Sequence, residues 1–241
     1  MKKYNTRAVV LKNIKYKDSD KIFTLFTKEF GKISSIARGV RKISSRRGGN
    51  LDTLNLVSVN IREDSSGFKN IEEVRTLESF KTIKKDLSKS AKAYYIVELV
   101  HRATEEDEQF SGIFDLLVKS LKALDKNGYS GDLFVTYFEI NLMKLLGYQL
   151  TLDRCRKCDR FLDKSWKKYT FNVENGAIEC EKCSRFGVEI SRESAVAFDL
   201  ISNGKLNKEL HKSVSEIDKI MKIYIGRKLE SKFKSLEIDT K

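Results

Sequence analysis

The 241-residue sequence has no proline, two histidines, four cysteines and one tryptophan. Each scarcity closes off a class of chemistry. Neither His101 nor His211 stands in an H-x-E pattern, so the zinc-deaminase arrangement is excluded. Both histidines read as surface or helix-face residues. No G-x-x-x-x-G-K-[ST], G-x-G-x-x-G or G-x-S-x-G occurs, so nucleotide hydrolysis and serine chemistry find no support. No apolar run approaches the ~20 residues that cross a bilayer, so a soluble chain with no membrane partner is expected. No signal peptide precedes Met1-Lys2-Lys3, which implies a reducing cytosol where disulfides do not persist. Nothing argues for catalysis, and the chain is expected not to be an enzyme.

The four cysteines that are present form two C-x-x-C pairs, Cys155/Cys158 and Cys180/Cys183, with 21 residues between them. A two-residue spacing lets both sulfurs of a pair reach one ion, and a longer loop brings the second pair round to complete a tetrahedron. Four thiolates suit one structural zinc, with no open position for a reaction. A [2Fe–2S] cluster or mononuclear iron accepts the same ligands, whereas a thioredoxin-like site needs only one pair on a βαβ unit. Zinc on four thiolates carries a charge of about −2 by its ligand count. Arg154, Arg156, Lys157, Arg160, Lys182 and Arg185 surround the cysteines in sequence and are expected to offset it.

Lys and Arg number 47 against 34 Asp and Glu, a net charge of +13. The surplus is uneven: residues 1–50 hold 14 basic and 3 acidic residues, residues 81–147 hold 10 of each. That asymmetry favours a polyanionic partner, nucleic acid ahead of a membrane surface. The competing reading is a genome-wide compositional bias toward lysine, with which the absence of proline agrees.

The patterning divides the chain into an α+β architecture. Period-two runs at Ala8–Leu11, Lys21–Thr27, Gly31–Ala37, Val57–Ile61 and Ile71–Leu77 predict five short strands within residues 1–80. A five-stranded OB-fold barrel is the natural candidate, with an SH3-like barrel compatible with the same pattern. Residues 81–147 turn helical. Ala91, Tyr95, Leu99 and Ala103 form one stripe, and Phe110, Ile113, Phe114, Leu117, Leu121 and Leu124 another, ended by Asn127-Gly128. Leu133–Leu146 is apolar nearly all round and reads as a buried central helix. Residues 148–190 make the metal module, with a strand in Trp166–Phe171, and residues 191–241 add helices near Arg192–Ile201 and Val214–Lys234 that pack on the helical domain. The acidic run Glu105–Glu108 reads as a solvated loop favouring the N-terminus of the next helix.

Arg38, Arg41, Lys42, Arg46 and Arg47 place five cations in ten positions with no acid among them, in a loop loosened by Ser44, Ser45, Gly48 and Gly49. Such a loop between barrel strands tracks a phosphate backbone without demanding a base sequence. Tyr16, Phe23, Phe26 and Phe30 are candidate base-stacking faces, although most such aromatics belong to a core.

Three stretches together carry a family resemblance. Arg7–Lys12, Asp20–Thr27 and Gly31–Lys42 resemble the N-terminal domain of RecO, the bacterial recombination-mediator family. Leu145-Leu146-Gly147-Tyr148, Leu152–Cys158, Phe171, Gly176 and Cys180–Cys183 resemble its zinc module, and Gly226–Leu229 its C-terminal helix. Asp159 stands where the family often has glycine, and Gln149-Leu150 where it often has proline; both affect turns and leave the four ligands in place. The resemblance implies an OB-fold, a helical domain and a zinc-finger-like module. It also implies binding of single- and double-stranded DNA, annealing of complementary strands, and action with RecR to load RecA onto DNA coated by single-strand-binding protein. A contact with that coating protein's acidic C-terminal tail is implied too, expected on the helical part, and so is a cytoplasmic, nucleoid-associated location. The alternative from a different class is a zinc-ribbon nucleic-acid-binding factor acting in transcription or on RNA.

Overall fold

Period-two patterning folds the N-terminal segment into β1 (Lys2–Tyr16), β2 (Asp20–Thr27), β3 (Gly31–Ala37), β4 (Leu56–Glu63) and β5 (Lys69–Glu78). The structure is a computed structural model that describes residues 2–43, 45, 47–126 and 131–229. The strands close a barrel in the order β1-β2-β3-β5-β4, with β4 returning to β1. That is the five-stranded OB arrangement. Ala8, Val10, Phe23, Leu25, Ile33, Val57, Val59, Ile61 and Ile71 fill its interior.

β1 is much longer than its apolar run predicted, because it serves two neighbours. Lys2–Val9 pair with β4 and Ala8–Tyr16 with β2, and the register shifts between Val10 and Lys12. The extra residue at this bulge bends the strand round the barrel. Ala8 and Val10 face the core while Val9 and Leu11 are buried on the opposite side, so alternation disappears from the sequence there.

The barrel's seam is thin. β3 and β5 share a single parallel pair, Ile36 with Asn70. Beyond it, the segment after the second helix lies along the β3 edge, with a bridge between Lys32 and Glu106. The helices of this part are α1 (Lys81–Lys85), α2 (Leu87–Ala103) and α3 (Ile113–Asp125). Asp86 caps α2 by accepting from the Lys89 amide at 2.9 Å. α2 buries Tyr95 and Leu99 as expected, but also Ala93, Ile96, Val97 and Val100, while Ala91 is exposed. α3 starts at Ile113, so its first-turn acid is Asp115 and the run Glu105–Glu108 lies upstream of it.

Residues 1–126 form one compact unit and residues 127–241 a second. The second contains α4 (Gly131–Leu145), the strands β6 (Tyr169–Asn172), β7 (Ala177–Cys180) and β8 (Val188–Ile190), then α5 (Arg192–Ser202) and α6 (His211–Leu229). α4 buries Leu133, Val135, Phe138, Ile140, Leu142 and Met143 and packs against α5 and α6. β6 is the middle strand of the order β7-β6-β8. Its Phe171 stacks on Phe198 of α5, with ring centroids 5.3 Å apart, and meets Tyr224 of α6 edge-on at 5.9 Å. Gly176, at φ +65°, is required by that packing: a Cβ there would lie 2.7 Å from the Tyr224 hydroxyl. Asn127-Gly128 and the end of the last helix beyond Leu229 fall outside the described residues. No helix among the described residues is long and apolar enough to cross a membrane.

Candidate metal centre and nucleic-acid interface

β7 delivers Cys180 at its C-terminal end, where the next turn reverses tightly. The Cys183 amide donates to the Cys180 carbonyl at 3.0 Å and the Ser184 amide does so at 2.9 Å. The first pair sits in a matching turn, with the Asp159 amide bonded to the Cys155 carbonyl at 2.8 Å and the Cys155 amide to the Arg160 carbonyl at 2.9 Å. These two turns gather the four sulfurs within 4.8 Å of one another. Cys158 Sγ and Cys180 Sγ are 3.8 Å apart. A tetrahedron with metal–sulfur bonds of about 2.3 Å has edges of about 3.8 Å, so the donors already stand at coordination spacing. Cys155 and Cys180 are buried, and Cys158 is exposed. The four cysteines thus form an arrangement compatible with one zinc.

Burial opposes ionisation of Cys155, but backbone hydrogen bonds from Cys180, Cys158 and Lys157 prevail and lower it to about 7. Cys183 is pushed up to about 12 by its hydrogen bond with Cys158 and by burial, as expected where neighbouring thiols share protons. A bound dication removes those protons outright.

The surrounding cations do more than offset charge. Arg160 makes two hydrogen bonds to Glu181, at 3.0 and 2.9 Å, with its guanidinium 5.1 Å from the Trp166 ring centroid. Lys157 reaches the fully buried Glu179 at 3.1 Å and the Cys183 carbonyl at 2.9 Å. Both bonds tie the first cysteine turn to the second. Arg154 pairs with Asp153 at 2.9 Å and Asp159 at 3.4 Å. Asp159 has φ +58°, a left-handed conformation in which glycine carries no side-chain penalty. The aromatic strand is displaced from its expected position: it runs Tyr169–Asn172, and Trp166 instead stacks on Tyr169 at 5.6 Å.

The basic loop follows β3. Arg38, Arg41 and Lys42 are exposed, and Arg47 is half-buried; Arg46 lies outside the described residues. Among the described residues no ion pair engages these four side chains. The partners of Arg41 and Arg47 are backbone carbonyls. Arg47 donates to Ile71 at 2.9 Å and to Arg38 at 2.8 Å, binding the loop to β5 and to its own root. Arg41 donates from its amide to the Ser19 carbonyl and from its guanidinium to the Asp18 carbonyl, both at 2.9 Å. The Gly39 amide donates to Asp20 at 2.7 Å, which holds that carboxyl below its usual range. The loop is therefore anchored on the β1–β2 turn and on β5. Of the four candidate stacking faces, Phe23 and Phe26 are core residues and Phe30 packs edge-on against Tyr4. Tyr16 remains at the surface, beside that turn, with the Lys17 ammonium over its ring.

The acidic run behaves differently from its expectation as a free loop. Its side chains are exposed, yet its backbone is clamped onto β3. The Asp107 amide donates to the Lys32 carbonyl at 2.9 Å, Ser34 Oγ bonds Glu106 at 2.5 Å, and Asp107 pairs with Lys69. A Cβ on Gly31 would fall 1.8 Å from the Glu108 carbonyl oxygen, so the contact is close. Lys32 is buried and donates to the His101 carbonyl at 2.7 Å and to that of Thr104, fastening the end of α2. Burial holds its ammonium below the usual lysine range, with Glu105 and Glu106 opposing. A lone lysine in an alternating strand carries no sequence signal for that role.

A closed OB barrel whose basic loop forms no ion pair among the described residues, followed by a helical part with a four-cysteine cluster compatible with one metal ion, defines a class of OB-fold protein. The comparisons with known proteins narrow the class. The family models for "Recombination protein O N terminal" and "Recombination protein O C terminal" match residues 1–80 and 84–237. The chain is 32% identical over 243 residues to the DNA repair protein RecO of Thermoanaerobacter sp. (strain X514), covering 98% of this chain and 96% of the relative. It is 29% identical over 249 residues to the DNA repair protein RecO of Caldanaerobacter subterraneus subsp. tengcongensis, covering 100% and 99%. A third relative, the DNA repair protein RecO of Geobacter sulfurreducens, is 35% identical over 189 residues, 78% of this chain and 75% of its own. The chain belongs to the RecO family of DNA repair proteins.

Proposed function

We propose that this chain is a recombination mediator that binds single- and double-stranded DNA through its barrel and anneals complementary strands. The observation that carries the reading is the anchored loop after β3, whose cations Arg38, Arg41, Lys42 and Arg47 form no ion pair among the described residues, Arg38 acting on the Asp20 carboxylate only at a distance. Neutralising the phosphates of two strands lowers their repulsion and leaves base edges free to pair, so annealing requires no catalytic group. With RecR the chain would help load RecA onto DNA coated by single-strand-binding protein, in the cytoplasm at the nucleoid. One zinc on Cys155, Cys158, Cys180 and Cys183 would brace the second unit; with four thiolates its coordination sphere is closed.

The acidic tail of single-strand-binding protein would dock on the helical part, with RecR on a separate surface. Leu87 and Tyr94 support this placement: they are exposed, and they lie seven residues apart on one face of α2. Calorimetry of the tail peptide on Leu87→Ala/Tyr94→Ala should show weakened binding; unchanged affinity places the tail elsewhere. The deciding assay for function follows annealing of complementary oligonucleotides with and without single-strand-binding protein. Acceleration of both supports the mediator, and inactivity on both rejects it.

A further inference from the structure

Ile43 is the most exposed large apolar side chain among the described residues, with a relative exposure of 108%. It stands in the basic loop, directly after the exposed Arg41 and Lys42. The Ser45 amide donates to the Lys42 carbonyl at 2.8 Å and the Lys42 amide to the Gly39 carbonyl at 3.2 Å, so successive turns carry Ile43 to the loop's tip. Such tips are ordinarily Gly, Asn, Asp, Ser or Pro, each for a backbone or hydrogen-bonding reason. Isoleucine has none of these uses. Its aliphatic side chain stands on a support tied down at Arg41 and Arg47.

An apolar peg flanked by cations suits the interior of a base stack. Isoleucine is among the side chains that nucleic-acid-binding proteins insert between bases, where they unstack a step and are shielded from water. We propose that Ile43 is a wedge that enters the base stack of bound DNA while Arg41 and Lys42 hold the adjoining phosphates. The proposal rests on the reading of this loop as a DNA contact. It adds a component of binding that the phosphate contacts cannot supply. Burying an aliphatic side chain releases no counterions, so this component is insensitive to salt. On duplex DNA it also favours steps that unstack easily, such as TA, over stiff A-tracts.

The test uses the full chain and a single-stranded oligonucleotide with one 2-aminopurine, whose fluorescence rises on unstacking. Wild type should raise that fluorescence on binding. Ile43→Ser should abolish the rise and weaken binding about tenfold, the scale of returning one aliphatic side chain to water. Its log–log salt slope should match wild type, and Ile43→Met should restore both signals. A fully exposed residue leaves folding untouched on replacement, which the unfolding midpoint checks. If Ile43→Ser keeps wild-type affinity and fluorescence while Lys42→Ala lowers affinity and slope, the wedge is rejected and the loop's DNA contact stands. If neither variant changes binding, the DNA reading of the loop fails along with it. A weakened Ile43→Ser with a lower salt slope, or no rescue by methionine, also overturns the wedge, because the loss then lies in the loop's shape.

Discussion

The metal module and the basic loop are both rich in cations, and they use them in opposite ways. Around the cysteines, Lys157 and Arg160 are taken up by Glu179 and Glu181, and Arg154 by Asp153 and Asp159. In the loop, Arg41 and Arg47 find only carbonyls, which orient a guanidinium without cancelling its charge. In the first region, positive charge on Arg154, Lys157 and Arg160 is structural cement, while Arg156, Lys182 and Arg185 beside them are exposed with no ion pair among the described residues. In the second it remains available to an external polyanion. Counting lysines and arginines alone does not separate the two; the identity of each partner does.

The comparison predicts effects of descending size. Cys180→Ser removes a buried ligand and should cost on the order of 10 kcal/mol of local folding free energy in the metal-loaded module. Amide exchange should accelerate across residues 148–190 while the barrel keeps its protection; a folded variant with full metal content would break the account. Lys157→Met leaves the buried Glu179 carboxylate without its ammonium but with the amides of Asn172 and Asn175, at 3.0 and 3.2 Å. Because Lys157 is partly solvated, denaturant unfolding should register a loss of about 1–3 kcal/mol. Arg47→Ala deletes the clamp between loop and β5 and should lower stability by about 1–2 kcal/mol, whereas Lys42→Ala should change it by less than about 0.5 kcal/mol. Equal costs for those two would erase the distinction between anchoring and available cations. Smallest and opposite in sign, Asp159→Gly relieves a left-handed backbone and should stabilise the second unit by about 0.5–1 kcal/mol, read as a higher thermal midpoint.

What was legible in the sequence followed from local rules. Short apolar runs bounded by turn residues marked all five strands, and the two C-x-x-C spacings identified the sulfurs that the structure brings together. The 3.6-residue stripe of α3 fell where expected from Ile113 to Leu124, while Phe110, its expected first member, precedes the helix. The missing parts depend on partners distant in sequence. β1 looked short because its bulge at Leu11 and burial on both faces erase the alternation. The anchoring of Arg47 was not legible because nothing local reveals the Ile71 carbonyl it reaches. The acidic run looked free because its clamp is Lys32 and Gly31, more than seventy residues upstream. Phe23 and Phe26 were ambiguous because an aromatic in a barrel strand reads alike whether it faces the core or a base.

The central claim is that the loop's unneutralised cations hold DNA while the metal module only braces the fold. Its most direct test is the salt dependence of single-stranded DNA binding by Arg38→Ala/Arg41→Ala/Lys42→Ala. Each lost phosphate contact lowers the log–log slope by roughly 0.7, so the triple variant should fall by about 2 with its zinc content unchanged. A slope that stays at the wild-type value would contradict the account and put the DNA path elsewhere on the protein.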